Sequence, residues 1–229
     1  MSRRKYYYND YDDDYYTWKI DMKQAKRDFM NYSKNTKTIT QEGFEKMGNT
    51  LGINIYDDIF ITYFLYKCKS KDTEEMTEEQ FIEGLTAFKC NTLNEVRNKI
   101  LDIRGQLLEI ENDDFKNFYY YLFDINVSGN ETTRKTQSIA YEGVELYFKK
   151  LFCEQFPVVN EFLEFLKSKK VGLKWDEWRT FLDFVKSKAT NFPKEYYVSD
   201  YFPTLIDDFY YWYCNKHKIP IPKDDEEDY

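Results

Sequence analysis

Apolar residues return every three or four positions through most of this chain, a spacing that predicts amphipathic helices. Trp18, Met22, Ala25 and Phe29 step by four, three and four and predict a helix across 16–32. Further apolar stripes are Phe44, Met47 and Leu51; Ile59, Phe60, Tyr63 and Phe64; and Phe81, Leu85 and Phe88. Beyond residue 90 the stripes are Val96, Ile100, Ile103, Leu107; Phe115, Phe118, Tyr119, Leu122; and Ala140, Val144, Tyr147, Phe148, Leu151. Val158, Phe162, Phe165, Leu166 and Trp175, Trp178, Phe181, Leu182, Val185 follow. The last helix gathers Leu205, Ile206, Phe209, Trp212 and Tyr213, with Asp200 as a candidate cap and Pro203 near its first turn. Residues 1–16, a Tyr/Asp tract, show no period and read as a disordered tail, and 216–229 reads as an acidic one.

Two segments share a spelling. ITQEGFEKMGNTL begins at Ile39 and MTEEQFIEGLTAF at Met76, each apolar-Thr-x-Glu-x-Phe. Each Thr suits an N-cap, and Thr77 with Gln80 spells a capping box. The rhythm is that of paired EF-hands. A calcium loop needs oxygen ligands at fixed positions. Aligning Ile39 and Met76 with the eighth loop position puts Tyr32, Lys34, Thr36 and Gly43, then Lys69, Lys71, Thr73 and Gln80, at the ligand positions. None is a carboxylate. The expected fold is all-α: two degenerate EF-hand-like helix-loop-helix units over 17–90, without calcium, followed by a helical subdomain over 91–215. No metal or other cofactor is expected.

The composition narrows the function. The net charge is −8, against nucleic-acid binding, which needs clustered Lys and Arg, and in favour of a basic protein partner. Gly (8) and Pro (5) are scarce, as an all-helical chain requires. The four cysteines form no CxxC pair, no signal peptide is evident, and no run has the length of a membrane span. A reduced protein of the cytoplasm or nucleus is expected. His217 is the single histidine and lies in the tail after the last helix, which leaves His-based catalysis little to work with. Asp207 and Asp208 sit opposite and beside the last apolar stripe. Adjacent helical residues diverge by about 100°, so the pair cannot flank one substrate atom as a hydrolase's carboxylates do.

KWDEWRTFLDFV and YFPTLIDDFYYWY together resemble the defective-in-cullin-neddylation family, whose potentiating-neddylation (PONY) domain carries Trp-x-x-x-Leu-Asp-Phe and then Pro-x-Leu-Ile-Asp-Asp-Phe. Here these are Trp178–Phe184 and Pro203–Phe209. FKNFYYYLF and QFPVVNEFLEFL fit the family's middle helices, and the resemblance covers roughly 20–213. It implies an accessory E3 of neddylation, a scaffold rather than an enzyme. Such a scaffold joins the C-terminal winged-helix subdomain of a cullin to the E2 that carries the modifier. The family's Asp–Ala–Asp cullin patch maps to Asp176, Tyr201 and Asp207, with a phenol in place of the family's methyl. Its pocket for the E2's acetylated N-terminal Met maps to Phe44, Ile125 and Tyr147, with Phe60 and Phe64 as walls. The alternatives are a generic helical interaction module and an EF-hand-type regulator. The missing loop carboxylates argue against the regulator.

Overall fold

The computed structural model describes residues 18–127, 136–198 and 202–221. The first helix, α1 (Met22–Ser33), starts where the Asp21 side chain accepts the N–H groups of Lys23 and Gln24 at 3.0 and 3.1 Å. That cap puts the start at Met22 rather than at residue 16, so Trp18 precedes the helix. A left-handed Lys34 ends it. Strand β1 (Thr38–Ile39) leads into α2 (Gln41–Leu51), which stops at Gly52 with φ 74°. Next come α3 (Ile59–Lys67), β2 (Met76–Thr77) and α4 (Glu78–Ala87). The Thr77–Gln80 capping box forms, whereas the Thr40 hydroxyl makes no cap bond. β1 and β2 pair antiparallel with Thr38 opposite Thr77 and Ile39 opposite Met76. The two segments of shared spelling are therefore tied to each other by main-chain hydrogen bonds.

The second half repeats this plan, which the reading of 91–215 as helices alone did not foresee. The 93–107 stripe forms α5 (Leu93–Asn98) and α6 (Ile100–Leu107), broken at Lys99. α7 (Asp113–Asn126) precedes β3 (Ser138–Ile139) and α8 (Tyr141–Leu151). α9 (Val158–Lys169) precedes β4 (Leu173–Lys174) and α10 (Trp175–Ser187). β3 pairs antiparallel with β4, Ile139 opposite Leu173. A Cβ at Gly172 would lie 1.9 Å from the Ile139 carbonyl oxygen, so only glycine lets the two backbones approach this closely. The spelling also recurs: Ile139, Glu142 and Val144, then Leu173, Asp176 and Trp178, keep the spacing of Ile39, Glu42 and Phe44. Ala140 and Lys174 in the cap positions hide the repeat. α11 (Thr204–His217) closes the fold. Asp200, the candidate cap for α11, lies outside the described residues. Apart from the two short ladders the described fold is all-α, and no described helix is long and apolar enough to cross a membrane.

Aromatic packing joins the elements. Tyr119 of α7 and Trp178 of α10 stack with centroids 4.5 Å apart and planes within 8°, both fully buried. The Tyr119 hydroxyl donates to the Trp178 carbonyl at 2.7 Å, and the Trp178 indole N–H donates to the Tyr119 carbonyl at 3.0 Å. Phe148, Phe181, Phe162 and Phe209 continue the ring contacts from this pair to α11.

The two halves also meet at Asp114, on the first turn of α7. Its carboxylate accepts from Tyr63 at 2.6 Å, Tyr66 at 3.1 Å and Lys67 at 2.6 Å, all on α3. Burial alone would raise its pKa, but the hydrogen bonds from Lys67 and Tyr63 and the Lys67 charge outweigh that and hold it below 3.8. A depressed carboxyl stabilises the fold fully above its unfolded pKa. That contribution is lost as pH falls through the lower folded value. Thermal melts of the wild type and Asp114→Asn between pH 6 and 2 should therefore differ most at pH 6 and converge in acid. A constant gap over that range would remove Asp114 from the acid response.

Candidate functional site

Asp176 is the second residue of α10. β4 sets the start of that helix, and the Glu177 carboxylate accepts the Lys174 N–H at 2.7 Å across the first turn. With Trp178 pinned under Tyr119, Asp176 points outward. Its side chain is 76% exposed and its nearest cation, Arg179, is 4.0 Å away. An acidic side chain in a first turn is favoured by the helix dipole, which leaves its charge available to a partner without cost to the fold.

Asp207 has different surroundings. The sequence placed Leu205, Ile206, Phe209, Trp212 and Tyr213 of α11 inward and Asp207 opposite. Ile206 and Phe209 are buried, but so are Tyr210 and Cys214, while Leu205, Trp212 and Tyr213 are only half-buried. The buried stripe is turned toward Asp207 because the segment after α10 folds over that side. Phe192 stacks on Phe209 at 5.1 Å, and Tyr196 lies 5.1 Å from Tyr210. Asp207 is half-buried and accepts from the Tyr196 hydroxyl at 2.5 Å. Asp208 is exposed. α10 and α11 share a core through Phe184 and Phe209. Tyr201 lies outside the described residues.

A second surface is a groove of about 630 Å³ between α2, α3 and the loop before β2. Phe44, Ile55, Ile61 and Leu65 give it an apolar lining, and Tyr56, Glu74 and Glu75 stand along it. The Tyr56 hydroxyl donates to Glu45 at 2.7 Å and accepts from Gln41 at 3.1 Å. Of the residues assigned to the E2 pocket from sequence, Phe44 lines this groove. Phe60 and Phe64 do not. Both are fully buried and stack on Phe88 at 6.1 and 5.9 Å. α3, IFITYFLYK, is apolar on every side, so periodicity could not show that Ile61 and Leu65 turn to the groove. Ile125 and Tyr147 also lie outside the groove lining. Tyr147 is buried beside Trp178, and its hydroxyl accepts from Asn126 at 2.8 Å. Among the described residues no three His, Cys, Asp or Glu side chains are grouped to hold a metal.

The sequence model of a family described as cullin binding matches residues 95–212, just over half of the chain. The chain belongs to the cullin-binding family. The match runs from α5 into α11 and contains both aspartates. Curated relatives extend the similarity. DCN1-like protein 5 of Bos taurus is 23% identical over 192 residues, 83% of this chain and 76% of that protein. DCN1-like protein 4 of Homo sapiens is 27% identical over 191 residues, 82% and 62% of the respective chains. Defective in cullin neddylation protein 1 of Candida glabrata is 28% identical over 190 residues, 76% and 67%. Each alignment is longer than the family match.

The two carboxylates should separate in a stability assay. Asp176→Asn, which keeps the shape and adds no cation to the first turn, is expected to change unfolding free energy by only about 0.5 kcal/mol. Asp207→Ala removes the carboxylate acceptor of a buried hydroxyl and should cost on the order of 2 kcal/mol. Denaturant melts of both variants measure the difference, and equal costs would contradict the geometry.

Proposed function

We propose that this chain is a scaffold-type accessory E3 of cullin neddylation. It holds the C-terminal winged-helix subdomain of a cullin beside the E2 that carries the ubiquitin-like modifier. The observation that carries this reading is the family match, because it spans the two helices whose first turns hold Asp176 and Asp207. The name of the Candida glabrata relative points to neddylation. In this reading Asp176 meets a basic cullin side chain in solvent, and Asp207, oriented by Tyr196, meets a second. Exposed ion pairs contribute only about 0–1 kcal/mol each, so the carboxylates chiefly set orientation and encounter rate.

The groove at Phe44, Ile61 and Leu65 receives the first residues of the E2. Against the apolar side chains of Phe44, Ile55, Ile61 and Leu65 an acetylated N-terminal Met is the better fit, because acetylation removes a charge whose burial there would cost several kcal/mol. The scaffold supplies no nucleophile or base. Holding carrier and acceptor together makes their encounter effectively unimolecular and restricts the cullin lysine to productive approaches. Its four thiols are free, which fits work in the reducing cytoplasm or nucleus.

Single-turnover transfer from charged, acetylated E2 to a cullin should speed up when the chain is added. An unchanged rate across a panel of cullins sinks the proposal. Reversing Asp176 and Asp207 together to Lys should abolish cullin capture while a fluorescent acetyl-Met peptide of the E2 still binds. Ile55→Glu, at a half-buried position of the groove, should do the converse.

A further inference from the structure

We infer that the cleft beside Asp207, between residues 193–198, Tyr210 and Tyr211 in the middle of α11, and residues 219–221, is the apolar part of the cullin-binding surface and takes one large apolar side chain of the cullin. The inference rests on the cullin reading above and adds to it. The cleft holds about 290 Å³. Its inner surface is formed by the buried rings of Tyr196 and Tyr210, and its outer edge by Val198 and Tyr211, which are 40% and 39% exposed. Along it the described residues place one charged side chain, Lys194, and no carboxylate. It is small for a ligand pocket and too short for a docked helix, but roomy enough for one aliphatic or aromatic side chain.

Continuity with Asp207 identifies the occupant. Asp207, Tyr210 and Tyr211 are spaced i, i+3 and i+4 on α11 and share a face, about 5–6 Å apart at their Cβ atoms. Tyr196 links the two features directly, since its ring lines the cleft and its hydroxyl bonds the Asp207 carboxylate. A basic residue that reaches Asp207 therefore brings the side chains next to it over Tyr211. Energetics call for such a contact, because two solvent-facing ion pairs cannot hold a complex by themselves. Interfaces draw their affinity from an apolar side chain seated in a desolvated, tyrosine-rich pocket, with charges around it.

The test is calorimetric binding of the full chain to a panel of cullin C-terminal subdomains. Val198→Asp and Tyr211→Ser, both at half-exposed positions and checked by thermal melts, should each weaken the tightest interaction at least tenfold, the uncharged Tyr211→Ser with its salt dependence unchanged. Asp176→Lys should weaken it with a reduced salt dependence. If Asp176→Lys and the Asp207 variants lose binding while Val198→Asp and Tyr211→Ser bind as wild type, the cleft inference falls and the cullin reading stands. If no variant changes binding, the cullin reading itself falls. A chain ending at Ile221 should bind within twofold of the full chain. Tenfold tighter binding on removal of 222–229 would instead make the protein's own tail the occupant and overturn the inference.

Discussion

The reciprocal bond between Tyr119 and Trp178 sets the geometry of this molecule. Two large aromatic side chains are buried completely, and each carries a polar atom that is costly to leave unpaired. Each solves the other's problem by donating to the other's backbone carbonyl. Because the acceptors are main-chain atoms, the pair fixes helix to helix as well as ring to ring. α7 carries Asp114 at one end of its length, which binds the first half, and α10 carries Asp176 two residues before Trp178. The stack thus joins the helix that anchors the first half to the helix that presents Asp176.

Both surfaces use an element that the short ladders position. β4 delivers the chain into the first turn of α10, so the placement of Asp176 depends on Ile139 and Gly172 as much as on its own helix. β1 and β2 do the same for α2 and α4, and α2 supplies Phe44. Phe44 and Asp176 belong to the first and the fourth copy of the same repeated spelling. One is an apolar residue that lines a groove and the other an exposed acid, so a single local plan presents both kinds of surface.

Much of this was legible in the sequence. Helix positions followed from three-four spacing because almost every helix here has one wet face. Ile39 and Met76 announced a paired unit because threonine caps follow both. The second pair stayed hidden where Ala140 and Lys174 replaced those caps, and two-residue strands leave no period to read. Asp176 could be placed because its helix has a single apolar stripe. Asp207 was placed less well, since the half-burial comes from Tyr196, a residue in an irregular segment that helical geometry does not reach. The lining of α3 could not be chosen at all, because every face of that helix is apolar and only tertiary contact with Phe88 decides which rings go inward.

The ladders carry one more implication. The bonds that clasp each pair of loops run between peptide groups, so the clasp asks for one apolar residue per strand and, in the second pair, for the glycine at 172. Lys34, Lys69 and Lys71 stand where a calcium loop needs acids, and the clasp between Ile39 and Met76 forms without them.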